Sequence, residues 1–122
     1  MVQKAVTQRK YIDRSILQGE SVQLFRAALR NPNTRDPYER HLISFLNHIR
    51  MDPDSFVNMA REQPKEVEKL LIFYVNHLVE RVERGELARG TIRNPIKVIQ
   101  LLLEMNDVAN INWRRMRKYL TQ

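Results

Sequence analysis

Residues 63–85 read QPKEVEKLLIFYVNHLVERVERG, and the fold is decided in this stretch. Val67, Leu70, Leu71, Tyr74, Leu78 and Val82 recur at the spacing of one helix face. Phe73, Val75 and Val79 widen that stripe. Pro64 suits a first helical position, where its missing N–H has no intrahelical partner to lose, and Gly85 suits the left-handed residue that follows a last turn. A half-buried strand would alternate in twos, and nothing here does. The pattern predicts one long helix, central to the molecule and its most buried element.

Toward the N-terminus, Ser21 is placed to cap a short helix carrying Val22, Leu24, Phe25, Ala28 and Leu29, which Asn31-Pro32-Asn33 breaks. The next helix is expected to start between Thr34 and Pro37. Asp36, Pro37 and Glu39 make a capping box with proline first, and Thr34 is the alternative cap one turn earlier. Tyr38, Leu42, Phe45, Leu46 and Ile49 form its apolar face, and Asp52-Pro53 restarts the chain into a short helix with Phe56, Val57 and Met59. Residues 1–20 show no sustained period and read as a flexible or weakly helical arm, leaving 21–122 as the helical domain.

Toward the C-terminus, Thr91 is expected to cap a helix that directs Ile92, Ile96, Ile99 and Leu103 to one side and Arg93, Lys97 and Gln100 to another. Pro95 at the fourth position of that helix costs one hydrogen bond, and a start at Asn94 with Pro95 first is the rival boundary. Asn106-Asp107 ends it. Asn112 caps a last helix in which Trp113, Met116, Tyr119 and Leu120 fall within an arc of ~120°, opposite Arg114, Arg115, Arg117 and Lys118. The expectation is an all-α bundle of five or six helices with short loops.

A chain of 122 residues suits one domain and a tail. The sequence has no cysteine, which excludes disulfides and thiolate zinc sites and fits a reducing compartment. No apolar run reaches the ~20 residues of a membrane span, and Met1–Lys10 lacks the apolar core of a signal peptide, so a cytoplasmic, nucleoid-associated protein is expected. The net charge of +7 is uneven: +4 over residues 1–30 and +5 over 87–122, against −1 for each of 31–62 and 63–86. Charge at both ends fits a surface that faces a polyanion, and fits equally a pair of solubilising tails.

Catalytic patterns are missing from the sequence. His41, His48 and His77 form no His-Glu-x-x-His arrangement. Glu66, Glu68, Glu80 and Glu83 stand at helix spacing from lysines and arginines and read as i,i+3 and i,i+4 ion-pair partners, such as Glu66 with Lys69 and Glu80 with Arg84. Ser15, Ser21, Ser44 and Ser55 have no recognisable base, and there is no phosphate-binding glycine loop. No enzymatic activity, cofactor, metal or small-molecule substrate is expected of this chain.

Two features go beyond bulk charge. Thr91, Arg93, Asn94 and Lys97 open a helix whose N-terminal N–H groups suit phosphate, and Asn and Arg pair well with base edges in a major groove. The last helix separates its apolar residues from four cations. Tyr38, Phe45, Phe73 and Tyr74 fall on apolar stripes and are expected in the core. That leaves no stacking platform for single strands and favours a duplex.

The order of the pieces carries a resemblance. Leu24-Phe25 and Ala28-Leu29 come first, then Thr34, Tyr38, Leu42 and Phe45 at T-x3-Y-x3-L-x2-F spacing, then the long helix from Pro64. Gly90-Thr91-Ile92 opens a helix closing at Met105-Asn106-Asp107, and Ile111-Asn112-Trp113 follows. Over residues 21–122 this resembles the SAM-like core-binding domain of tyrosine recombinases of the phage-integrase type, especially archaeal integrase-like members. The resemblance implies half of a DNA clamp, with the helices starting at Thr34 and Thr91 against the major groove and the last helix leading toward a separate C-terminal catalytic domain. Thr34, Arg35, Arg40, Thr91, Arg93, Asn94 and Lys97 would face duplex DNA, joined by Arg114, Arg115 and Lys118 of the last helix; other recombinase protomers would be further partners. The chain departs from that family in lacking its catalytic set. His41, His48 and His77 are followed three places on by Ser44, Met51 and Glu80, so no His-x-x-Arg pair exists. Tyr119 lies too near the end to serve as the family's nucleophile. The chain is then a recombinase fragment or a stand-alone binding relative. A helical protein-interaction module with a basic surface is the alternative, and a duplex-RNA binder a third reading.

Overall fold

Six α-helices and one 3₁₀ turn make up the regular structure of residues 12–120, the part of the chain that the computed structural model describes. They are α1 (Glu20–Ala27), α2 (Pro32–Ile49), α3 (Pro53–Glu62), α4 (Pro64–Glu83), the 3₁₀ turn Arg89–Thr91, α5 (Arg93–Met105) and α6 (Trp113–Leu120). No strand occurs among the described residues. One core joins Phe25, Leu42, Phe45, Leu46, Phe56, Leu71, Ile99, Leu102 and Leu103, all without solvent exposure.

The central helix is α5, not the long α4 that the sequence favoured. It packs against α2, α1 and α3 and buries Pro95, Ile96, Val98, Ile99, Leu102 and Leu103. The α4 helix packs mainly on α3 and α6, and it meets α2 through Tyr74 and His77. Val67, Leu71, Tyr74, Val75 and Leu78 are buried, but Phe73 is 69% exposed. With packing concentrated on those neighbours, part of a wide apolar stripe stays uncovered. Tyr38, also expected in the core, is only partly buried. Phe45 meets Phe56 and Tyr74 edge-on, each at 5.0 Å between ring centres, a favoured aromatic geometry.

Three helix starts differ from the expected ones. At α1 the N-cap is Gly19, at φ 105°, and Ser21 lies buried inside the first turn. Asp54 of α3 does the capping, accepting from the Ser21 backbone N–H at 3.1 Å and from its hydroxyl. The α2 helix begins at Pro32, because Asn31 accepts from the Asn33 N–H at 2.9 Å and Pro32 occupies the first position. The residues that stop α1 thus start α2, and Pro37 falls inside the helix instead of opening it. At α5 the 3₁₀ turn absorbs Thr91, whose hydroxyl donates to the Ala88 carbonyl at 2.6 Å. Pro95 becomes the third residue of α5, where no N–H bond is lost. The α6 start is as expected, with Asn112 accepting from the Arg115 N–H at 3.0 Å, and Gly85 takes its left-handed conformation at φ 79°.

Of the expected arm, residues 1–11 lie outside the described residues. Residues 12–19 are tied to the bundle: Leu17 is buried, and Arg14 bonds Glu39 and Asp36 of α2.

Candidate nucleic-acid interface

The carboxylates divide the basic residues into two groups. Glu39, only 4% exposed, accepts from Arg14 at 2.9 Å and Arg26 at 2.8 Å. Burial pushes its pKa up, and the two guanidiniums outweigh this and hold it below the usual range. Asp36 takes Arg14 and, at 3.0 Å, Arg40. Positive charge near the N-terminus is therefore partly spent inside the fold, at the junction of α1, α2 and the segment before them. Lys4, Arg9 and Lys10 fall outside the described residues.

At the other end the cations stay open. Arg93 and Lys97 of α5 and Arg114 and Arg117 of α6 are exposed, and no carboxylate among the described residues pairs with them. Arg93, Lys97, Gln100 and Arg117 line one groove of about 350 Å³, with Ile96 and Leu120 as its floor. The helix period explains the α5 side, since residues 93, 97 and 100 share a face while Ile96 turns toward the core edge. Met116 anchors α6 in the core, which directs Arg117 back toward α5. The start of α5 has no side-chain cap, so its positive end is not neutralised by the protein's own groups.

The other anticipated contact residues are placed differently. Arg35 donates to the Leu29 carbonyl at 2.9 Å, closing the α1–α2 turn. Arg40 lines a separate hollow with Pro32, Asn33, Asp36 and Pro37. Thr34 is exposed in the first turn of α2, and Asn94 is exposed beside Arg93. Thr91 is turned onto its own backbone. Arg115 sits 3.7 Å from Glu68, and Lys118 is exposed on the same helix.

Glu68, read from the sequence as an ion-pair partner at helix spacing, has that role with Lys65, and its burial is what the sequence did not show. It is 1% exposed, and its Oε2 accepts the Asn112 N–H at 2.9 Å, tying α4 to the start of α6. Its Oε1 has no hydrogen-bond partner and lies 3.6 Å from the Lys65 ammonium. Gln100 and Arg117 are the groove residues not expected as contacts. Gln100 was readable from its position seven after Arg93, whereas Arg117 depends on how α6 returns against α5.

Glu66 pairs with Lys69 at 3.5 Å as anticipated, while Arg84 pairs with Glu86 at 2.8 Å. The described residues hold no group of three or more His, Asp or Glu side chains able to bind a metal, and no helix long and apolar enough to cross a membrane. Compared with protein-family models, curated proteins and solved structures, the chain matches none.

Proposed function

We propose that this chain is a duplex-DNA-binding module, the non-catalytic core-binding part of a tyrosine-recombinase-like system, with the SAM-like bundle that its resemblance implies. The observation that carries the reading is the open groove of Arg93, Lys97 and Arg117, set where α5 begins and α6 returns, with no acidic partner among the described residues. Phosphates fit such a surface because two helices present cations at one place and a helix N-terminus adds its dipole. Asn94 and Gln100, exposed or half-buried beside the cations, are the side chains able to reach base edges. The α2 residues Arg35 and Arg40 contribute less than the resemblance implies, being occupied within the fold. Strand cleavage would come from a catalytic domain, covalently linked or separate, and this chain would position it on DNA together with other protomers in the cytoplasm.

The apolar floor of Ile96 and Leu120 also suits an acidic amphipathic protein segment, which is the second reading. One experiment separates the candidates: a labelled 30-base-pair DNA duplex is bound, then competed with unlabelled duplex DNA, duplex RNA, single-stranded DNA and heparin. Displacement by duplex DNA well ahead of RNA and single strands is expected. Failure to bind the labelled duplex at low salt refutes the DNA reading.

A further inference from the structure

The last helix does not complete its own start. Asn112 caps α6, and its side chain accepts from the Arg115 N–H at 3.0 Å, which is one half of a capping box. In the usual box a Glu or Gln at the position of Arg115 reaches back to the cap N–H, and an arginine has no acceptor with which to do so. Glu68 of α4 stands in for it, its Oε2 accepting the Asn112 N–H at 2.9 Å. The Arg115 guanidinium lies 3.7 Å from Oε1 of the same carboxylate and the Lys65 ammonium 3.6 Å from it. These cations and the positive end of α6 favour the charge of a side chain that is 1% exposed and whose Oε1 has no hydrogen-bond partner.

We propose that Glu68 is the positioning residue of the α5–α6 groove, and that α6 is helical only while docked on it. The helix has 8 residues, short of the ~12–15 at which an isolated helix becomes marginal in water. Arg114, Arg115, Arg117 and Lys118 repel one another along it. Met116 is its buried side chain, and Trp113 and Leu120 are partly buried. Little else in its own sequence favours the helix, so a carboxylate supplied by α4 couples its folding to its docking. Docking in turn shapes the groove. The α6 helix packs chiefly on α4, whereas a space of about 350 Å³ separates its Arg117 and Leu120 from Arg93, Ile96, Lys97 and Gln100 of α5. Where Arg117 stands relative to α5 is therefore set through α4, and Glu68 is the group of α4 that holds the start of α6. The effect on DNA rests on the duplex reading of the groove; the docking of α6 does not.

Amide hydrogen exchange of the full chain, followed by NMR, tests the docking. Glu68→Gln keeps the size and one acceptor oxygen and removes the charge; exchange at Met116, Arg117, Lys118 and Tyr119 should speed up about tenfold, with the α2 and α5 amides unchanged. Arg115→Glu, at an exposed position, sets a second carboxylate beside Glu68 and should also speed those amides. In the Glu68→Gln background the same Arg115→Glu change returns the reach-back carboxylate and should slow them again. A Glu68→Gln chain with wild-type exchange in α6 overturns the proposal. So does an Arg115→Glu change that acts alike in both backgrounds, as it would if Glu68 merely filled the core. Duplex binding gives the second readout. With Arg114 and Arg117 released, the slope of log K against log salt should fall in Glu68→Gln from about −3.6 to about −1.8. A loosened α6 with an unchanged slope overturns the positioning role. A wild-type chain that binds no duplex refutes the DNA reading instead, and the exchange cycle still decides the docking.

Discussion

Removing the open cations of the α5–α6 groove should change the salt dependence of DNA binding more than anything done to α2. Arg93, Lys97, Arg114 and Arg117 are exposed and free of carboxylate partners among the described residues. If each neutralises one phosphate, log K against log salt has a slope of about −3.6, from about 0.9 per contact. Raising salt from about 50 to about 200 mM then costs roughly 150-fold in affinity. In the triple variant Arg93→Ala, Lys97→Ala, Arg117→Ala, about one contact remains. The slope falls to about −0.9, and the same salt step costs only about fourfold. Arg40→Ala is the control, because that side chain is bonded to Asp36 at 3.0 Å, and its slope should match the wild type. Fluorescence anisotropy with a labelled duplex at five salt concentrations gives all three slopes. A triple variant with the wild-type slope, or an Arg40→Ala chain that loses as much, refutes the assignment of the surface.

Replacing Arg93 and Lys97 alone with alanine should weaken duplex binding by roughly 1–3 kcal/mol if either reads a base, as measured by titration on a selected site. Glu39→Ala leaves Arg14 and Arg26 without their shared carboxylate and should lower stability by about 2 kcal/mol in urea unfolding. Because the folded Glu39 pKa is depressed, its contribution is complete above the unfolded carboxylate pKa and is lost as pH falls through the lower folded value; the gap between wild type and Glu39→Ala should close in acid. His48 stacks on His77 at 4.4 Å and touches Tyr74, with Glu66 and Lys69 on the same groove. Burial first, and then the charge of His77, hold its pKa below 6.5, so the unfolded chain takes the proton more readily; melting temperature should drop as pH falls from 7 to 5, and His48→Gln should flatten that drop. Gly19→Ala would place a Cβ against the Asp54 carboxylate at a left-handed position, costing about 2 kcal/mol by thermal melting.

The helices were legible in the sequence because their apolar spacing is local. Phe45, Leu71, Ile99 and Leu103 lie in the core where periodicity put them. Helix starts were less legible, because the decisive group is often distant: Asp54 caps α1 from α3, and Asn31 claims α2 before Asp36 can. Neighbourhood was not legible at all. The stripe on α4 is as apolar as that on α5, yet α5 lies among three helices while α4 leaves Phe73 in solvent. The candidate surface divides in the same way. Arg93, Lys97 and Gln100 follow from helix spacing, but only the folded chain sets Arg117 beside them. Only the fold also shows that Glu39 and Asp36 take up Arg14, Arg26 and Arg40, cations that a count of charges treats as free.

The central claim is that duplex DNA lies against the exposed turns of α5 and α6. Titration of a duplex into isotope-labelled chain, followed by amide NMR shifts, tests it residue by residue. The account predicts the largest shifts at Arg93, Asn94, Lys97, Gln100, Arg114 and Arg117, with little change along the outer face of α4. Shifts centred on residues 66–80, or spread evenly over the molecule, would contradict it.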